Sequence, residues 1–148
     1  MAKKQTTRRY VQPYRYASPN IPLAAIRRFA RQIAELFHPD KIILFGSYAY
    51  GTPHQDSDVD LLVVMPARNL HSQSVRIRWR LSAPFPLDLI IRTPKEMEWR
   101  LREGESFLTT IMTQGKLLYE KDDQRVGKEG RARLSTRQAR KPKQSSRS

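Results

Sequence analysis

GSYAYGTPHQDSDVDLLVV, residues 46–64, joins a glycine turn to paired acids and an apolar strand. From about Asp58 to Met65 the residues alternate, so that Asp58, Asp60, Leu62 and Val64 share one face and Val59, Leu61, Val63 and Met65 the other. Pro66 closes the run. Two ionised carboxylates on one side of a strand repel each other, and partial burial raises the cost unless a cation or hydrogen-bond donors compensate. At the other end of the stretch, Gly46 follows Lys41-Ile42-Ile43-Leu44-Phe45, an apolar run of strand length. A glycine at a strand end lets the backbone approach a ligand closely, its neighbouring amides can cradle phosphate oxygens, and Ser47 adds a hydroxyl donor. Gly51 permits the reversal that brings the chain back toward Asp58.

Upstream, Ser18-Pro19-Asn20 precedes Ile26, Phe29, Ala30, Ile33, Leu36 and Phe37, whose spacing predicts a helix ended by His38-Pro39-Asp40. Downstream, residues 69–82 read as a helix that Pro84 and Pro86 interrupt, and Leu87 to Ile91 as a third strand with Asp88 in its interior. Thr93-Pro94-Lys95-Glu96 resembles a capped helix start with proline at the first helical position. Phe107, Leu108, Ile111 and Met112 suggest a further helix ending near Gly115, and Lys116 to Tyr119 an edge strand or packed terminal segment. The expected fold is α/β: a small mixed β-sheet with helices mainly on one face, its site at the strand ends carrying Gly46, Ser47 and the aspartates.

A chain of 148 residues with 39% hydrophobic content makes one domain with one core. No apolar run approaches the roughly 18 residues needed to cross a bilayer, and the N-terminus has no apolar stretch of signal-peptide length. A cytoplasmic protein without a membrane segment is expected. Pro13 and a weak apolar periodicity argue against an organelle transit peptide. Cysteine is absent, so any metal must use carboxylates, histidines or main-chain oxygens. The net charge of +14 is unevenly distributed: residues 1–16 carry five basic residues and no acid, 121–148 ten basic against three acidic, and 17–120 thirteen against eleven. The chain divides into a basic N-terminal tail (1–16), a domain (17–121) and a basic C-terminal tail (122–148). The tails are too poor in large apolar groups to offset the entropy of ordering and are expected to be mobile. A flexible cationic segment binds nucleic acid weakly and with strong salt dependence.

Asp88 on a neighbouring strand could reach the same point as Asp58 and Asp60. Three carboxylates converging at strand ends make a hard, oxygen-rich site suited to Mg²⁺, which also takes phosphate oxygens and keeps some of its water. Two ions about 3.5–4 Å apart could be held there, one activating an attacking hydroxyl and one steadying a leaving pyrophosphate.

With Gly46-Ser47, Gly51 and Ser57-Asp58-Val59-Asp60 in order and Asp88 in a later apolar strand, residues 20–120 resemble the DNA polymerase beta nucleotidyltransferase superfamily, in its minimal form. The stretch PLDLIIRTPKEMEWRLREGESFLTTIMTQGKLLYE, residues 86–120, also resembles members encoded beside HEPN-domain proteins as toxin–antitoxin pairs. The resemblance implies a transferase that moves AMP from ATP onto a tyrosine of a HEPN toxin and silences it. It implies that Asp58, Asp60 and Asp88 bind Mg²⁺, that Gly46 and Ser47 bind the triphosphate, and that Asp88 assists deprotonation of the acceptor. Tyr48 and Tyr50 stand between the two glycines where many relatives have arginines.

Plainer readings are available for several residues. Asp56 falls in the loop and is not expected as a ligand, while His54 and His71 lie in polar segments and suggest ordinary exposed histidines. Arg76, Arg78 and Arg80 read as the wet face of a helix whose Val75 and Trp79 pack inward, the sharper reading being a partner or phosphate contact. Two further functions compete with the leading one: a small-molecule transferase of the aminoglycoside-modifying kind, and a non-enzymatic module that binds a partner or nucleic acid.

Overall fold

The computed structural model describes residues 14–121. The first helix, α1 (Leu23–Phe37), buries Ile26, Phe29, Ala30 and Ile33 as one stripe. Its first turn has no side-chain cap, because Pro22 occupies that position in an extended conformation. His38 ends the helix in the left-handed region, at φ 51°, and its N–H donates to the Ala34 carbonyl. There follow β1 (Lys41–Phe45), a single helical turn α2 (Ser47–Tyr50), β2 (Val59–Val64) and α3 (Leu70–Arg80). The chain continues through β3 (Leu87–Arg92), α4 (Pro94–Arg102), α5 (Ser106–Gln114) and β4 (Lys116–Glu120). Among the described residues, no helix is long and apolar enough to cross a membrane.

The strands form one mixed sheet in the order β3-β2-β1-β4. β1 runs antiparallel to both β2 and β4, and β2 pairs parallel with β3. The expected alternation along β2 holds. Val59, Leu61, Val63 and Met65 enter the larger core, with residues of α1 and α3, while Leu62 and Val64 enter a smaller one with Met97, Leu108 and Ile111. Helix packing is thus weighted to one face, where Phe29 and Phe85 meet edge to face at 5.6 Å, and α4 and α5 cover the other. Truncating a fully buried Leu61 or Ile26 to alanine costs about 2–5 kcal/mol by cavity formation.

α4 starts as expected: Thr93 caps it by accepting from the Glu96 N–H at 3.1 Å, with Pro94 in the first turn. α3 is a correction. Trp79 is 82% exposed and Val75 is exposed too, while Ile77 is buried with Leu70 and Leu81 packed beside it. Two helical steps turn through about 200°, so Val75 and Trp79 point away once Ile77 faces the sheet. Of the tails set apart by composition, Tyr14–Tyr16 is described, with the Tyr16 N–H bonded to the Pro84 carbonyl at 2.9 Å. Residues 1–13 and 122–148 lie outside the described residues.

Candidate active site

The parallel pairing of β2 with β3 sets Asp60 directly beside Asp88, strand neighbours being about 4.8 Å apart. The Val59 N–H donates to the Pro86 carbonyl at 2.9 Å and fixes that register where the acids stand. On the other side of β2, Asp60 faces Phe45, the last residue of β1. The two aspartates therefore lie on the face of the smaller core, beyond the apolar rows that α4 and α5 cover. Asp58 and Asp88 are exposed and Asp60 is half-buried.

Gly46 leaves β1 with φ 76° and ψ −162°, a conformation open to glycine and strained for other residues. Its missing side chain matters as much as its dihedrals. A Cβ there would fall on Asp60 Oδ2 and within 3.0 Å of Asp60 Cγ. The glycine thus makes the space that the Asp60 carboxylate occupies. Gly51, at φ 81°, closes α2 and reverses the chain.

The electrostatic consequence falls on Asp60. Burial first, then the charges of Asp88 and Asp58, and a hydrogen bond with the Asp88 side chain raise its pKa from 3.8 to about 7. None of the three carboxylates is ion-paired among the described residues, whose five salt bridges lie elsewhere. The described residues hold no group of three acids or histidines already closed to metal-binding geometry. Mg²⁺ does not require one, since it commonly takes one or two carboxylates and completes its shell with phosphate and water. The crowding of anionic oxygens on Asp60 and the all-oxygen donor set fit such an ion.

The loop between α2 and β2 is held by Ser57, a buried polar residue whose role the sequence reading did not single out. Its Oγ accepts from the Ser47 hydroxyl at 2.9 Å and from the His54 N–H at 2.8 Å. Its carbonyl accepts from the Ser18 hydroxyl at 2.6 Å, and Ser18 also bonds the Tyr48 hydroxyl at 2.8 Å. Ser47 is therefore tied to the loop that carries Asp58, and Tyr48 is committed to packing, whereas Tyr50 is exposed. The available signal for Ser57 was a small hydroxyl residue between two aspartates, able to bond nearby backbone. Nothing local signalled Ser18, 39 residues away. Asp56 stays in the loop, its N–H bonded to His54 Nδ1 at 3.2 Å, and both residues are exposed. A concavity of about 560 Å³ lies at the opposite end of the strands, lined by Lys41, Val64 and Met97, well away from the aspartates.

The nucleotidyltransferase domain model matches residues 26–111. A Methanocaldococcus jannaschii protein named as a protein adenylyltransferase is 34% identical over 105 residues, covering 64% of this chain and 69% of its own. Among solved structures, a nucleotidyltransferase from Sulfolobus solfataricus has a TM-score of 0.47 at 16% identity, over 68% of this chain and 81% of that one. A MntA–HpeT toxin–antitoxin structure has a TM-score of 0.46 at 22% identity, over 80% and 91%. On the domain match and the archaeal relative, this chain belongs to the nucleotidyltransferase family and is an enzyme of that class.

Proposed function

We propose that the chain transfers AMP from ATP, with Mg²⁺, to a tyrosine hydroxyl of a HEPN-domain toxin and acts as its antitoxin. The observation that carries the reading is the in-register pair Asp60 and Asp88, with Asp58 adding its charge, at a strand end where the missing side chain of Gly46 makes room for the Asp60 carboxylate. Asp58, Asp60 and Asp88 would hold the metal, which supplies charge neutralisation to the triphosphate and to the attacking oxygen. Gly46 and Ser47 would border the triphosphate, with the amides at the start of α2 ahead of the first helical bond. Exposed Asp88 takes the proton of the acceptor hydroxyl as its oxygen attacks the α-phosphorus. The new P–O bond forms while the bond to pyrophosphate breaks, and pyrophosphate departs with the electron pair.

Three observations favour a protein acceptor. The archaeal relative is named for protein adenylylation, and residues 86–120 resemble members encoded beside HEPN proteins. The exposure of Asp58 and Asp88 also suits an acceptor hydroxyl presented on a macromolecule. The test is intact mass spectrometry of the neighbouring gene product after incubation with the enzyme, Mg²⁺ and each nucleoside triphosphate in turn. One added adenylate, absent with Asp58→Ala/Asp60→Ala, is expected. A different nucleotide would correct the substrate, and no transfer to a partner that binds would reject the reading.

A further inference from the structure

Unbalanced positive charge among the described residues collects on one face of the sheet. α1 and α3, which share the larger core, carry Arg27, Arg28, Arg31, Arg76, Arg78 and Arg80 against one acid, Glu35, and all seven side chains are exposed. The opposite face is mixed in sign: Asp60 and Asp88 stand there, and α4 carries Lys95, Arg100 and Arg102 beside Glu96 and Glu98. Every salt bridge of the described residues involves Lys41, Arg92, Arg100, Arg102 or Lys121, so none of the six arginines has an acidic partner there. Arg78 gives one N–H to the Leu87 carbonyl at 3.2 Å and Arg76 reaches Gln73 at 3.4 Å, which leaves most of their donors to solvent. Between Arg78 and Arg80, Trp79 stands 82% exposed. The sequence beyond the described residues has the same sign: four basic residues and no acid in 1–13, nine basic against three acidic in 122–148.

We propose that the outer surface of α3, around Trp79 with Arg76, Arg78 and Arg80 and on the side of the sheet away from Asp60 and Asp88, binds single-stranded nucleic acid, the α1 arginines lying further along the same face toward β4. The guanidinium fork matches phosphate oxygens in a way a lysine ammonium does not, and all six cations of this face are arginines. An exposed indole flanked by such groups offers a base a stacking platform without reading its sequence. Duplex strands supply the phosphates but keep their base faces stacked. An acidic protein would satisfy the arginines and offer no equivalent for Trp79. This surface is separate from the carboxylate site and does not depend on the acceptor proposed above.

The experiment is fluorescence anisotropy of the full-length chain with a fluorescein-labelled mixed-sequence RNA oligonucleotide and its DNA counterpart, across a KCl series. Affinity should fall linearly on logarithmic axes as salt rises. Trp79→Ala should weaken binding roughly tenfold and leave the salt slope unchanged. Arg76→Gln/Arg78→Gln/Arg80→Gln should reduce the slope by about 2, each single-strand phosphate contact contributing about 0.7. All four positions are exposed, so unchanged melting curves are expected, and Trp79→Phe, retaining a ring, should recover part of the affinity. A preference for RNA or for DNA identifies which of the two the face takes. Wild-type affinity in both the Trp79→Ala and the triple variant would assign binding to the tail segments and overturn the proposal. So would equal competition by polyglutamate, which would give the face to an acidic protein, or by the same sequence as duplex.

Discussion

Along one face of β2 the side chains run Asp60, Leu62, Val64, and the two ends of that row are built on opposite principles. At the Val64 end, Leu62 and Val64 lie under Met97, Leu108 and Ile111, and the nearby acids are neutralised: Asp40 by Lys121 at 3.8 Å, Glu120 by Lys41 at 3.6 Å, Glu96 by Arg100 at 3.1 Å. At the Asp60 end, three acids come together with no base paired to any of them among the described residues. The Val64 end owes little stability to these pairs, since part-exposed ion pairs contribute about 0–1 kcal/mol each. The lesson lies in what is tolerated. One end has been relieved of electrostatic repulsion and the other has kept it, as the proposed metal and triphosphate site requires.

That contrast can be attacked from both ends. Removing a carboxylate has the greatest consequence: Asp60→Ala or Asp58→Ala should lower the initial rate of adenylate transfer by about 10²–10³-fold or more, without lowering the urea unfolding midpoint. Gly46→Ala comes next. Its Cβ would displace the Asp60 carboxylate and force a side chain to φ 76°, so a loss of about 1–3 kcal/mol in urea unfolding should accompany a loss of transfer. A smaller effect concerns pH. The folded pKa of Asp60, about 7, exceeds its reference value of 3.8, so the folded state binds the extra proton between those values. The resulting stabilisation is fully present below about pH 4 and is lost as pH rises through about 7. Metal-free wild type should therefore lose melting temperature relative to Asp60→Asn across that window, with the difference levelling above it. Parallel curves for the two proteins would remove the argument from Asp60. The least change belongs to the far end, where Lys41→Ala should alter stability by less than about 1 kcal/mol and leave transfer intact, as unfolding curves and initial rates will show.

How much of this was written locally in the chain follows the same division. The faces of β2 and the positions of Asp58, Asp60 and Asp88 could be read because alternation has a period of two residues and acids inside apolar runs stand out. The cap of α4 was legible from Thr93-Pro94-Lys95-Glu96 alone. The orientation of α3 was not. Val75 and Trp79 form as good a four-residue apolar pair as Ile77 offers, and only packing against β3 selects the latter. Ser57 was hidden for a different reason, its partners Ser18 and Ser47 being brought to it by the fold. The crowding at Asp60 also depended on the parallel register with β3, which separates sequence neighbours of Asp60 from the residue that matters most to its charge. The transferase class came from the ordered motif, whose resemblance the domain match and the archaeal relative bear out.

ATP binding measured by calorimetry, with Mg²⁺ and with EDTA, separates the two ends of the sheet in a single experiment. Wild type and Lys41→Ala should bind ATP when Mg²⁺ is present and lose most of that affinity in EDTA, and Asp58→Ala/Asp60→Ala should show the weak binding in both. If the double variant binds ATP with Mg²⁺ as tightly as wild type, the acids beside Gly46 do not form the nucleotide site.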